Sequence, residues 1–586
     1  MLRAITLYAL RNRLIVIAAL AIFASAGVLA FLRLPVEAYP DVTNVQVQVI
    51  TLFPGHAAEE VEQLITIPIE NQMNGIPKRA SMRSISLFGL SVVTLVFEDE
   101  ADGAYVRNQV FERLQAVEMP PGAQPSLSPD STPVGEIYRY TLTAPPGFSP
   151  LELKALEDWV VERKLRTVPG VVDVVGFGGP TKQYQVQVDP LKLKSFGLSL
   201  RQVLDALANG NKNAGGAYIE HGSEMYVVRG LGLVQNPTDI GNIAITSRGG
   251  TPILIRDVGE VKLGAAIRLG RVGKLIPGKV DEDDVVQGIV LLRKGENALA
   301  VLERVRAKVA DLNASELPPG VKISKYYDRT ELIDRTLHTV RKNMAEGILL
   351  VLVVLILFLG FGNWRSALIV AAVVPLALLG AFLFLDLRGI PANLISMGAI
   401  DFGIIVDSAV VIIENLLRIL EERGDKLRSL TAAITQSVSE MGKPILFSKA
   451  ILLAAFIPLY TLQRVEGKIF KPMALTLTFA LVAGTLLAIL VVPTLASLAL
   501  RRGHPEHEVW VVKKLNAIYR PALDFALAHR KRFVAISIGA LALAGIMGSL
   551  LGSEFLPKLD EGALWVRVTM PGAISPTEAG RVVSQV

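Results

Sequence analysis

Seven long apolar runs, set apart by charged stretches, constrain this chain more than any other feature. They cover Leu14–Leu32, Gly347–Phe361, Ala367–Leu385, Leu394–Leu417, Ile445–Leu462, Leu475–Leu500 and Phe533–Leu551. A helix needs about 20 apolar residues to cross the hydrocarbon core of a bilayer. The alternative, core helices of a large soluble protein, fits poorly because most of the runs carry charge only at their ends. Only 19% of the 586 residues are charged, against about 25% in an ordinary soluble domain. The first run is long and no clear A-x-A cleavage site follows it, so it reads as an uncleaved helix rather than a signal peptide. The chain has no cysteine, which excludes disulfide frameworks, thiolate metal sites and cysteine nucleophiles. A net charge of +6 is small for this length and gives no reason to expect nucleic acid.

Basic residues favour the cytoplasmic side of a membrane and so set the orientation. Arg3, Arg11 and Arg13 precede the first run. Alternate threading then places Arg365, the stretch Arg418–Lys443 and the stretch Arg501–Arg532 in the cytoplasm. Val509–Leu527 has apolar residues at helical spacing with lysines between them, and is expected to lie along the cytoplasmic membrane surface. The block Arg33–Asn343, about 310 residues long, falls outside. Val45–Phe53 alternates as a strand, Pro54–Gly55 is a turn, Ala57–Gln72 is helical, Ser84–Phe97 is strand-like and Ala101–Val117 is helical. Beyond Leu151 come a helix to Thr167, strands at Val171–Gly176 and Gln183–Val188, and a helix at Ser199–Asn209. This order predicts small split βαβ sandwiches with helices on one face of an antiparallel sheet. Gly176–Gly179 make no G-x-G-x-x-G element and no G-x-x-x-x-G-K-[ST] occurs, so neither a nucleotide cofactor nor ATP-driven pumping is expected.

The end of the chain repeats its beginning. The first span runs into Phe31-Leu32-Arg33-Leu34-Pro35, a strand, Pro54-Gly55 and an acidic helix start. The seventh runs into Glu554-Phe555-Leu556-Pro557, an expected strand at Leu564–Thr569, Pro571-Gly572 and a helix start at Glu578. Internal duplication is common in transporters, and by that logic the intact protein is about twice this length.

The chemistry concentrates in the fourth run. Asp401, Asp407 and Glu414 interrupt an otherwise apolar stretch ending at Asn415. A charged residue at the bilayer centre costs roughly 2.5–3.5 kcal/mol on insertion scales, so three carboxylates there need a function. Asp407 and Glu414 are seven residues apart, about 700° of helical rotation, and share nearly one face; Asp401 is about 120° away. In low dielectric a carboxyl group favours its neutral form. Such a group loads and releases a proton with small changes in access, which suits proton-coupled transport. The bland alternative is a structural ion pair between helices, with Lys449 in the fifth run as a possible basic partner. The Asp401-Phe402-Gly403 triplet also occurs in protein kinases, but here no Gly-rich loop or His-Arg-Asp accompanies it.

Asp401–Asn415 resembles the fourth-helix signature of the heavy-metal efflux branch of the resistance-nodulation-division (RND) proton-driven exporters. Ser408 stands where the zinc, cobalt and cadmium pumps often have Gly. Leu34-Pro35 through Tyr39-Pro40-Asp41, Pro54-Gly55, Gly288-Ile289-Val290 through Gly295-Glu296-Asn297, and Val465-Glu466-Gly467-Lys468 carry the same resemblance over essentially the whole chain. It implies a polytopic α-helical membrane protein with a large α+β periplasmic region. Residues 1–32 would be the first span and 33–133 a first ferredoxin-like porter subdomain. Residues 134–180 and 272–330 would form a second porter subdomain, with an inserted docking subdomain at 181–271. Spans two to six would occupy 331–502, an amphipathic cytoplasmic connection 503–532, the seventh span 533–552, and the start of a second porter repeat 553–586. It further implies a homotrimer in the bacterial inner membrane, a periplasmic adaptor (membrane fusion) protein, an outer-membrane channel, and a metal cation as substrate. Asp401, Asp407 and Glu414 would form the proton relay or cation pathway, completed by a basic group in a second half. No cofactor is expected.

The metal ligands are harder to read. His56, His221, His338, His504, His507 and His529 make no external His-x₃₋₅-His pair, and Asp281-Glu282-Asp283-Asp284 reads best as a solvated turn. The 11 methionines include no Met-x-x-Met pair of the kind that suits monovalent copper or silver. Divalent cations are therefore expected, with copper/silver export or export of organic compounds as alternatives. Aromatic residues are only 6% of the chain, which disfavours a large aromatic drug pocket. A non-transporting membrane scaffold would have no use for the buried carboxylates.

Overall fold

A computed structural model describes residues 2–37, 40–268, 270–276, 284–360, 363–398, 402–423, 429–500, 510–552, 564, 566–571 and 574–585. Asp401, Asp281, Glu282, Asp283, His504 and His507 lie outside these residues. The chain divides into two compact units. The first comprises Met1–Gly135, Arg293–Leu302 and Arg329–Trp565; the second comprises Glu136–Leu292, Glu303–Asp328 and Val566–Val586.

Among the described residues of the first unit, seven helices are long and apolar enough to cross a membrane. They are α1 (Arg13–Arg33), α2 (Arg329–Leu359), α3 (Trp364–Leu387), α4 (Ile395–Glu421), α5 (Leu430–Thr461), α6 (Arg464–Ala499) and α7 (Arg530–Leu550). α3 and α6 are buried over most of their length, whereas α7 is bare. Small residues make that burial possible, since close backbone approach replaces a hydrophobic driving force between helices in lipid. A Cβ at Gly380 would stand 2.7 Å from Ala483 Cβ, and one at Gly27 would stand 2.7 Å from Leu379 Cβ. Pro472 and Pro493 sit inside α6. Thr476 Oγ1 donates to Pro472 O at 2.8 Å and Thr494 Oγ1 to Leu490 O at 2.9 Å, so hydroxyls support the backbone around them. The chain enters α4 through a short parallel pair, Val36↔Ala392 and Glu37↔Asn393. There the buried Asn393 and Ser396 bond to each other's backbone. Trp510–Ala528 forms a helix with no buried residue.

The same unit holds an antiparallel sheet of β1 (Gln46–Leu52), β2 (Arg79–Leu87), β3 (Leu90–Phe97) and β4 (Gln124–Leu127), in the order β2-β3-β1-β4. Alternation places Val47, Val49, Val93 and Leu95 in its core, against Val61, Ile65 and Ile69 of one helix and Val106 and Val110 of another. The single strand expected over Ser84–Phe97 is a hairpin, with Leu87 paired to Leu90. Gly89 has φ +68°, a conformation open to glycine that reverses the chain in two residues. Apolar alternation continues on both arms, which hides the turn from a period-two reading.

The second unit contains a four-stranded antiparallel sheet of β5 (Glu136–Thr143), β6 (Val171–Phe177), β7 (Val286–Leu292) and β8 (Lys322–Asp328), ordered β8-β5-β7-β6. Its 150–166 helix is Pro150–Leu156, a π-turn at Glu157–Val161, and Glu162–Arg166. Lys182–Val188 pairs with Gly259–Ala265, beside a small core of Leu193, Val203, Ile253, Ile255 and Val258. The hairpin of Ala214–His221 and Glu224–Gly230 is exposed throughout. The strand expected at Leu564–Thr569 is not formed among the described residues there. The expected helix follows as Pro576–Val583, with Ser575 Oγ accepting from Glu578 N at 3.3 Å.

Candidate proton and cation site

The site is built on α4, whose described helix is Phe402–Arg423. Its apolar residues Ile405, Val406, Ala409, Ile412, Ile413 and Leu416 are buried in the helical core. That burial turns the opposite stripe, Gly403, Asp407 and Glu414, outward. Asp407 and Glu414 are both exposed among the described residues. They are offset by about 10 Å along the axis, in keeping with the shared face read from their spacing.

Lys449 of α5 reaches across to this stripe. Its ammonium donates to Asp407 Oδ2 at 3.2 Å and to Ile404 O at 2.9 Å. The lysine side chain is only 7% exposed, while the aspartate is 56% exposed. The cation is therefore held inside the bundle by a backbone carbonyl as well as by the carboxylate, and the carboxylate keeps an open side. That open side faces a groove lined by Gly403, Ile404, Ser448, Lys449, Ile451 and Leu452. Glu414 lines a second, mostly apolar groove between α2 and α4, with Val351, Phe358, Phe402 and Val410. The structure thus brings Asp407 and Lys449 together and sets Glu414 apart from them.

Gly484 of α6 fixes the height of α4 against the bundle. A Cβ there would stand 3.1 Å from Ile405 Cγ2 and 3.2 Å from Ile405 O, two residues before the carboxylate that Lys449 holds. Ser408, next to Asp407, is fully buried, and its hydroxyl has no hydrogen-bond partner among the described residues.

A polar anchor beside Glu414 escaped the sequence reading. Asn415 Nδ2 donates to Glu440 Oε2 at 3.1 Å and to Ser437 Oγ at 3.4 Å, and Arg418 donates to Asn415 Oδ1 at 2.8 Å. Ser437 Oγ donates in turn to Ile412 O at 2.8 Å. The available signal was Asn415 at the end of the α4 motif together with Ser437 and Glu440, three residues apart on α5. Asn415→Ala is expected to weaken the α4–α5 contact by about 1–3 kcal/mol, the scale of a buried polar group losing its partner. A lower midpoint in thermal unfolding of the detergent-solubilised protein is the readout.

None of the described histidines joins a metal-binding group. The ring of His56 stacks on Phe53 and that of His529 on Phe525, and His221 meets Tyr226 edge-on. Asp284 accepts from Gly179 N at 3.1 Å and pairs with Arg268. No group of three or more His, Asp or Glu suited to a metal ion occurs among the described residues.

The profile of the AcrB/AcrD/AcrF family matches residues 5–586. The chain belongs to this family of RND transporters, and within it to the heavy-metal efflux branch. It is 40% identical over 585 residues to the cobalt-zinc-cadmium resistance protein CzcA of Cupriavidus metallidurans, covering 96% of this chain and 54% of that one. It is 36% identical over 591 residues to the cation efflux system protein CusA of Escherichia coli K12, covering 98% of this chain and 55% of the other. The crystal structure of a heavy metal efflux pump in crystal form II matches with a TM-score of 0.88 at 42% identity, over 99% of this chain and 56% of that chain. The chain therefore spans about half the length of the relatives it matches. Those relatives are efflux transporters rather than enzymes.

Proposed function

We propose that this chain forms part of an inner-membrane proton/cation antiporter that exports heavy-metal cations of the divalent class, zinc, cobalt, cadmium or nickel. The observation that carries the reading is the Asp407–Lys449 pair at an open groove of a membrane helix, with Glu414 further along the same stripe. Asp407 and Glu414, with Asp401, are the proton-relay or cation-pathway groups, and Lys449 is a basic partner of Asp407. A carboxylate that can pair with an ammonium, a proton or a metal cation exchanges one positive charge for another without leaving bare charge in low dielectric. The exposed stripe is completed by further transmembrane segments of the intact protein. Residues 33–133, and 134–180 with 272–330, act as periplasmic porter subdomains, and 181–271 as a docking subdomain. The assembly is a homotrimer that works with a periplasmic adaptor and an outer-membrane channel.

The divalent assignment is supported by the 40% identity to a cobalt-zinc-cadmium resistance protein and by the lack of a Met-x-x-Met pair in the sequence. The test is metal tolerance of a sensitive host expressing the intact protein. Growth is expected to extend to higher zinc, cobalt, cadmium or nickel. Tolerance confined to silver and copper would refute the divalent assignment, and tolerance confined to dyes would refute metal export.

A further inference from the structure

The second unit carries a buried ionisable cluster that takes no part in the membrane site. Glu157 opens the π-turn of the 150–166 helix and is fully buried. Tyr140 of β5 donates its phenol O–H to Glu157 Oε1 at 2.8 Å, while Oε2 is buried with no hydrogen-bond partner among the described residues. Lys154, one turn earlier and also buried, pairs with Asp158 Oδ1 at 3.0 Å. Two glycines make the room. In the sheet Gly288 of β7 lies between Tyr140 of β5 and Gly176 of β6. A Cβ at Gly288 would overlap the Tyr140 phenol and stand 2.7 Å from Glu157 Oε1; one at Gly176 would stand 3.0 Å from Lys154 Nζ. Three strands and a helix are thus shaped around one carboxyl group.

Charge counting shows what that carboxyl lacks. Lys154 is already paired with Asp158, and Glu162 with Arg166 at 2.7 Å. The groups that face Glu157 are Lys154, Asp158 and Glu162 from its own helix and Tyr140 from β5. β6 and β7 set Gly176 and Gly288 against the cluster, and Asp173 of β6 shares Arg166 with Glu162, so neither strand adds a cation. An ionised Glu157 therefore leaves Glu157, Asp158 and Lys154 with one surplus negative charge, and a protonated Glu157 leaves them balanced. In the neutral form the 2.8 Å contact can run the other way, the carboxyl donating to the phenol oxygen.

We propose that Glu157 is a proton-binding site of the sheet unit, whose protonation seats the 150–166 helix on the sheet and whose ionisation loosens it. Burial pushes the carboxyl up to about 7, against the lowering effects of the Tyr140 hydrogen bond and the Lys154 charge. The folded form thus binds this proton more tightly than the unfolded chain. Its stabilising effect is complete below the ordinary carboxylate range and is lost as pH rises towards about 7, above which it is flat. The proposal does not depend on what the membrane helices carry.

Hydrogen exchange across residues 150–166 of the purified full chain, corrected for intrinsic rates, tests it. Between pH 5.5 and 8 the protection of this helix is expected to fall roughly tenfold in the native protein. Glu157→Gln should stay protected at both pH values. Tyr140→Phe removes a donor to the carboxylate, so the midpoint of the change should move to higher pH. A pH-independent native helix, or an equal fall in Glu157→Gln, would overturn the proposal. So would a Tyr140→Phe variant that loses protection equally at every pH with an unmoved midpoint, since that marks a purely structural contact.

Discussion

Asp407→Asn is expected to abolish proton-driven cation export by the intact protein while leaving its abundance and assembly unchanged. The amide keeps the shape of the carboxyl and an oxygen that can accept from Lys449, now 3.2 Å from Asp407 Oδ2. It cannot take up or release a proton. Removing a proton-transfer group costs roughly 10²–10⁴-fold in rate, so transport per folded protein should fall by about 100-fold or more. Asp407→Leu makes a useful contrast, because it leaves the buried ammonium of Lys449 with the Ile404 carbonyl but without the carboxylate that balances its charge. A buried charge stripped of its partner is strongly destabilising, so this variant should lose folded protein as well as activity. Uptake into proteoliposomes under an imposed pH gradient, normalised to folded protein, separates the two effects. Native transport per folded protein in Asp407→Asn would end the relay assignment for this residue.

Lys449→Met carries the second large effect. Methionine fills most of the lysine's volume without its charge, and the large penalty for breaking an ion pair arises where the charge left behind is buried. The exposed Asp407 carboxylate then keeps access to the open groove and is not stranded in the bundle. Abundance should therefore stay near that of the native protein. Transport per folded protein should drop by roughly tenfold or more, because the carboxylate no longer has an internal cation to return to between loads. Lys449→Arg should recover part of that loss, since a guanidinium can still donate to both Asp407 Oδ2 and Ile404 O. The same proteoliposome assay reads all three proteins. Full activity in Lys449→Met would restrict Lys449 to packing and leave the basic group of the relay to be found elsewhere in the intact protein.

Several features were legible in the residues alone because they depend on local quantities. Apolar length marks a membrane helix without any knowledge of its neighbours, and each of the seven runs lies in or overlaps one of the seven long apolar helices. The 3.6-residue repeat places Asp407 and Glu414 on one face whatever packs behind them. Period-two alternation located Gln46–Leu52, and Ser199 marked the start of the helix that it caps. The same local rule failed at Ser84–Phe97, where Gly89 reverses the chain without interrupting the alternation.

Tertiary packing decided the rest. Lys449 is 42 residues from Asp407, and nothing in sequence spacing says which face of α5 turns towards which face of α4. That orientation comes from the burial of Ala409, Ile412 and Ile413 in one core and from the close approach that Gly484 allows at Ile405. The Asn415–Ser437–Glu440 anchor depends on the same docking. Glu157 is the clearest case. As a letter in an amphipathic helix it reads as one more solvated acid, and only the hollow left by Gly176 and Gly288 on two neighbouring strands makes it buried and short of a counter-charge. Sequence by itself determined which segments are long and apolar enough to cross a membrane and which helix carries the acids, because hydropathy and helical periodicity are properties of a segment. The partner of each acid was decided only by the fold, because a counter-ion is a property of two segments brought together.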